Sequence, residues 1–180
     1  MTDKPKVDLD DLAAELRQSV SREIRWEAED VEADALKLTL RRRSLSDAVA
    51  ELLHRGDTVS FVTPPLTVTG LLTHCRGDLA IMDCGEATIS ANLAGPVVVR
   101  RERSSRSGGS SSSGGSGSFR ARLSEFELTG EAVGIITPST ADIVLGHINV
   151  VGTDHLVMTG PGNIDWYIPL PTIALVVQAR

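Results

Sequence analysis

Aromatic side chains make up only 3% of this 180-residue chain. Any core must therefore be aliphatic, built from Val, Leu, Ile and Ala. The scarcity also argues against single-strand nucleic-acid binding, which usually relies on bases stacked on aromatic rings. Cysteine is equally sparse. Cys75 and Cys84 supply neither a metal set nor a disulfide framework. With a hairpin turn near Arg76-Gly77, Cys75 faces residue 78 rather than Cys84, so both read as reduced core thiols. Positive charge is in deficit: 18 Lys and Arg against 24 Asp and Glu leave a net charge of −6. That opposes affinity built on neutralised phosphates, although a local basic patch is compatible with it. No apolar run approaches the roughly 20 residues needed to span a bilayer. The opening Met1-Thr-Asp-Lys-Pro-Lys-Val-Asp8 is too polar for a signal peptide. The expectation is a cytoplasmic protein with no membrane partner.

Recognisable site chemistry is missing too. There is no glycine-rich phosphate loop, no metal-spaced His/Cys set and no nucleophile elbow. The expectation is no enzyme: no catalytic residue, cofactor, metal or small-molecule substrate. His54, His74, His147 and His155 read as structural, and Asp78 and Asp154 as turn residues bonding their own backbone.

What the chain does contain is a repeat. Gly56, Asp57, Val59 and Thr63-Pro64 match Gly130, Glu131, Val133 and Thr137-Pro138 at one constant offset. After a two-residue insertion, Gly70, Asp78, Ile81 and Met82 match Gly146, Asp154, Val157 and Met158. A repeat of this length indicates a duplicated folding unit. Each copy, at about 60 residues, is near the lower limit for folding alone, so the copies are expected to pack together or oligomerise.

Residues 8–38 read as a helical arm. Asp8 is placed to cap it, and Leu9, Leu12, Leu16, Val20 and Ile24 form an apolar stripe suited to the chain's own core or to a coiled-coil seam. Arg41-Arg42-Arg43 follows, then Ser44-Leu-Ser-Asp47, a capping-box pattern. Leu45, Val49, Leu52 and Leu53 predict a short amphipathic helix ending before Gly56. Phe119, Leu123 and Phe126 occupy the equivalent positions before Gly130. Five strand-like segments follow each helix: 58–63, 66–75, 79–83, 87–92 and 97–101, then 132–137, 142–151, 155–159, 166–170 and 173–178. Gly70 and Gly146 fall inside the longest strand of each copy, where glycine usually marks a bend or bulge. Between the copies, residues 104–118 are almost entirely Ser and Gly, as in a natural Ser/Gly linker or an engineered spacer, and are expected to be flexible. The implied organisation is an arm over 1–43, a barrel over 44–103, a linker over 104–118 and a second barrel over 119–180.

A short helix followed by five strands resembles the Sm-like small β-barrel. The residues that carry the resemblance are Val68-Thr-Gly-Leu-Leu72 with Asp78 and Leu79, and Val144-Leu-Gly-His-Ile148 with Asp154, His155 and Leu156. The chain is also similar to a group of actinobacterial proteins often labelled Fis-type regulators, through Arg25-Trp26-Glu27 and Ile168-Pro-Leu-Pro-Thr-Ile173. The resemblance covers about residues 23–103 and 119–180. It implies a mainly β fold: a helical arm and two tandem Sm-like or SH3-like five-stranded barrels, each preceded by a short helix. RNA-binding Sm proteins carry Asn three residues beyond the turn Asp, where this chain has Ile81 and Val157. Their Arg-Gly pair is replaced by Ala94-Gly95 in the first copy, and the second has neither residue near Ile173-Ala174. The resemblance thus implies the barrel without the RNA pocket.

The functional expectation is an adaptor or regulatory module that binds a protein, or itself, through barrel edges, loops or the arm. Trp26, Trp166 and Tyr167 are the candidate partner-binding residues, the last two as an exposed loop pair beside Gly160-Pro-Gly162. The alternative expectation is nucleic-acid binding, RNA foremost, through a face carrying Arg41, Arg42, Arg43, Arg100, Arg101, Arg103, Arg120 and Arg122.

Overall fold

The computed structural model describes residues 34, 37–64, 66–105, 108, 109, 115–140 and 142–180. The chain divides into two units, Met1–Arg43 and Ser44–Arg180. In the first, residues 34 and 37–42 are helical and exposed. Lys37 Nζ donates to Asp34 Oδ1 at 3.0 Å, a surface pair of little stabilising weight. The leucine stripe over Leu9–Ile24 and Trp26 lie outside the described residues.

The second unit opens with the capped helix that the sequence predicts. Ser44 Oγ accepts from the Asp47 amide at 3.1 Å while the Asp47 carboxylate accepts from the Ser44 amide at 3.0 Å. Two otherwise orphaned donors are thereby satisfied, and α1 runs over Leu45–Arg55. It stops at Gly56, whose φ of 72° is the left-handed turn that glycine takes without steric cost. Its counterpart α2, Phe119–Thr129, is capped by Ser118 Oγ alone, which accepts from the Ala121 amide at 3.2 Å, and it closes at Gly130, whose φ is 65°.

Among the described residues ten strands complete the unit: β1 Thr58–Thr63, β2 Leu66–Arg76, β3 Leu79–Asp83, β4 Ala87–Asn92, β5 Val98–Arg103, β6 Ala132–Ile136, β7 Val144–Val151, β8 His155–Gly160, β9 Ile164–Pro169 and β10 Leu175–Ala179. All pairings are antiparallel, and the order across the sheet is β5-β1-β2-β3-β4-β10-β6-β7-β8-β9. The two halves therefore share one strand order, fifth-first-second-third-fourth. They do not form two separately closed barrels. β10, the fifth strand of the second half, lies between β4 and β6 and joins both halves into a single open sheet. The physical reason is the apolar content of β10. Adjacent residues of a strand point to opposite faces, and Leu175 and Val176 are each fully buried, one in either of two hydrophobic clusters.

Those clusters draw on both halves. Val49 and Leu53 of α1 pack with Phe61, Met82 and Ile89, joined by Ile136, Ala174 and Leu175 from the second half. Phe119, Leu123 and Phe126 of α2 pack with Ile135, Leu156 and Met158, joined by Leu79 from the first. As the composition requires, aliphatic residues supply nearly all of this interior.

The glycines inside β2 and β7 have the same cause. A Cβ on Gly70 would stand 2.3 Å from the Asp83 carbonyl oxygen, and one on Gly146 would stand 2.3 Å from that of Thr159. The long strand crosses its neighbour too closely for a side chain. The ladder register then slips between Leu72 and His74, and between Ile148 and Val150. That slip is the bulge that bends each strand across the unit.

Candidate functional site: two open sheet edges

Among the described residues a sheet of this order has two free edges, β5 and β9. A free edge presents unpaired backbone donors and acceptors. β9 reads Ile164-Asp-Trp-Tyr-Ile-Pro169, and all of it is exposed except Ile168. Trp166 and Tyr167 are thus strand residues on opposite faces of an edge, not the loop pair that the neighbouring Gly-Pro-Gly implied. The turn at Pro161–Asn163 is a single 3-10 turn, and β9 begins directly after it. Tyr167 is 70% exposed, and its ring lies 6.3 Å from that of His155. His155 Nδ1 is 2.7 Å from Asp154 Oδ1, and this hydrogen bond holds the Asp154 carboxyl below its ordinary value. Trp166 lines a groove of about 470 Å³ with Ile143, Leu145 and Pro161. Asp165, just before Trp166, accepts from Thr159 Oγ1 at 2.7 Å.

β5 is the opposite in character: Val98-Val-Arg-Arg-Glu-Arg103, exposed at every position but Val99. Glu102 takes hydrogen bonds from Ser60 Oγ and from Arg100 Nε, the latter at 2.8 Å. Together they lower its carboxyl from the ordinary value, the Ser60 bond most. Thr69 Oγ1 lies 2.6 Å from Ser60 Oγ and completes a polar line across three strands, keeping the buried Ser60 hydroxyl satisfied.

The arginines of the alternative reading divide among several elements. Arg41, Arg42 and Arg43 are exposed in the first unit. Arg100, Arg101 and Arg103 project from β5. Arg120 donates to the Thr153 carbonyl at 2.8 Å. Arg122 is committed to packing: it donates to Glu125 at 2.7 Å and to Gln178 at 3.1 Å, and its guanidinium lies 4.4 Å above the Phe126 ring.

Several polar roles were not legible in the sequence. The Asp78 carboxylate accepts the Phe119 amide at 2.8 Å, so a turn residue of the first half holds the N-terminus of α2 in the second. Its repeat partner Asp154 is 86% exposed. His74 is buried, with Nε2 3.0 Å from the Ser116 carbonyl oxygen. His147 Nδ1 lies 2.9 Å from the Gly130 carbonyl. The described parts of the Ser/Gly stretch are accordingly bonded to the fold. Besides Ser116, the Ser105 amide donates to Asp57 at 2.7 Å and the Gly109 amide to His54 at 2.9 Å. Cys75 pairs with Ala80 across the β2–β3 hairpin, whose turn lies at Gly77-Asp78, one residue beyond the expected place. Burial raises both the Cys75 and the Cys84 thiol.

Among the described residues no cluster of three His, Cys, Asp or Glu is placed to hold a metal ion, and no helix is long and apolar enough to cross a membrane. No protein-family model and no curated protein matches the chain.

Proposed function

We propose that this chain is a non-enzymatic interaction module, an adaptor or regulatory protein that binds another protein through the open edges of its sheet. Each half is read as an Sm-like bent five-strand unit, the fifth strand of the second pairing with the fourth strand of the first rather than closing a barrel of its own. One observation carries the functional reading: the β9 edge exposes Ile164, Trp166 and Tyr167 in a protein with only six aromatic rings of the Phe, Tyr and Trp type. Exposed aromatics on an unpaired strand supply both parts of strand-addition recognition, backbone hydrogen bonds and side-chain anchors.

The test is retention of protein from native cell lysate by the immobilised full chain, with and without nuclease. Nuclease-resistant retention that is lost on Tyr167→Ser supports the reading. Partners that all disappear with nuclease would move the function to nucleic acid.

A further inference from the structure

The second half of the chain carries charge of one sign. Between Arg122 and Arg180 there is no Lys or Arg, against six acids: Glu125, Glu127, Glu131, Asp142, Asp154 and Asp165. The two arginines that bound this stretch are engaged. Arg122 pairs with Glu125, and Arg180 reaches to Asp83 and the Gly85 carbonyl of the first half. Asp165 bonds only a neutral hydroxyl and Glu131 a neutral amide. Asp142 is exposed and has neither hydrogen bond nor ion pair among the described residues.

The groove beside β9 lies in this field. Ile143, Leu145 and Pro161 give it apolar walls, the Trp166 indole stands along one side, and Asp142 is the one charged group among the described residues that line it. The position of the indole is set by a glycine. A Cβ on Gly160 would stand 3.2 Å from Trp166 Nε1 and 2.9 Å from the Leu145 carbonyl oxygen. Gly160 has a φ of −96°, open to any residue, so its bare α-carbon serves space and not conformation. Trp166 faces the buried Met158 across β8 and β9 just as Ile89 faces Met82 across β3 and β4. Ile89 is 1% exposed and Trp166 40%. An aromatic ring thus stands open where the first half buries an aliphatic side chain.

An apolar trough with a ring on one wall and a lone carboxylate matches a side chain with an alkyl stem and a charged head. A cation over the indole face is attracted by the ring quadrupole, and the carboxylate supplies the counter-charge. We propose that this groove receives a Lys or Arg side chain from a basic segment of a partner protein. The stem lies on Ile143, Leu145 and Pro161, and the head meets Trp166 and Asp142. This rests on the interaction-module reading and deepens it, because it names the chemistry that the β9 side selects. The uncompensated acids around the groove act before contact: they draw in basic segments and repel acidic ones, nucleic acid included.

The experiment is fluorescence polarisation of short peptides carrying a neutral dye, titrated with the purified full chain. The probes are Ser-Val-Lys-Val-Lys-Ser, blocked at both ends, and its counterparts with Gln or with Glu in place of both lysines. The lysine peptide should bind about tenfold more tightly than the glutamine peptide, and the glutamate peptide most weakly. The lysine preference should shrink as salt is added. Asp142→Asn should cut that preference about threefold or more, and so should Trp166→Leu, which keeps the groove apolar but removes the ring. Circular dichroism checks that both variants fold. Arg101→Gln, on the opposite edge of the sheet, should change nothing. Equal affinity for the lysine and glutamine peptides would overturn the proposal, and so would a lysine preference that survives both groove variants. If that preference is absent yet Tyr167→Ser still abolishes nuclease-resistant retention of protein, the cationic anchor falls and the interaction-module reading stands.

Discussion

Asn92 and Ile173 lie 81 positions apart in the chain, and the Asn92 side-chain amide donates to the Ile173 carbonyl at 3.1 Å inside the protein. Asn92 Oδ1 accepts in turn from the Ala94 amide at 3.1 Å. One buried side chain thus fixes the end of β4 to the segment leading into β10. Replacing it with Leu strands a buried carbonyl, at a cost of about 1–3 kcal/mol. Thermal or denaturant unfolding of Asn92→Leu should show this loss as a single transition, because the halves share both hydrophobic clusters.

Gly70 and Gly146 should be equally intolerant. Valine at either position drives a side chain into a neighbouring carbonyl, and overpacking of this kind costs about 1–3 kcal/mol. Similar losses at both sites, measured by denaturant midpoint, would confirm that the two halves use glycine for the same close crossing. A neutral result at one of them would separate the halves mechanically.

Asp78→Ala removes the acceptor at the start of α2 and should destabilise the unit by about 0.5–2 kcal/mol, in the range of helix-capping losses. Asp154→Ala, at the exposed repeat position, should leave single-chain stability unchanged. Melting temperatures of the two variants side by side decide this.

Acid should weaken the same junction. The Asp83 carboxyl is lowered from its ordinary value by the Gly85 amide and by Arg180, whose Nη2 lies 2.7 Å from it. A carboxyl with a depressed folded-state pKa contributes stability above its unfolded pKa and loses it as pH falls through the folded value. Melting temperature should therefore decline below the ordinary carboxylate range, and Asp83→Asn should flatten part of that decline. An unchanged slope would remove Asp83 from the acid response.

Cys75 should react slowly with alkylating agents near neutral pH, because burial raises its thiol and only the thiolate is nucleophilic. Its rate should climb as pH approaches the raised value, as followed by mass spectrometry of the intact chain. Rapid labelling at neutral pH would show that β2 opens readily beside α1.

Local structure was readable because local chemistry decides it. Ser44, Asp47 and Gly56 bound α1, and alternating Val, Ile and Thr mark strands whose cores match the expected ranges. β1, β3 and β4 have the expected bounds. What the sequence concealed was pairing at long range. Leu175 and Val176 mark a strand buried on both faces, but nothing in Leu175-Val-Val-Gln-Ala179 names Ala87–Asn92 as its neighbour. The candidate site was legible in part. Trp166, Tyr167 and Arg100–Arg103 stand out by residue type, but their placement at opposite ends of one sheet depends on that pairing. Asp78 was invisible as a cap because its partner amide is 41 residues away.

The position of β10 bears on how the molecule is made. It is synthesised after the other nine strands, yet it belongs at the middle of the sheet. Until it emerges from the ribosome, β4 and β6 each lack a neighbour, and a nascent chain holds two unpaired strand edges. Such half-built species are prone to aggregate, so the yield of this protein should respond sharply to translation speed and to any chaperone that shelters strand edges.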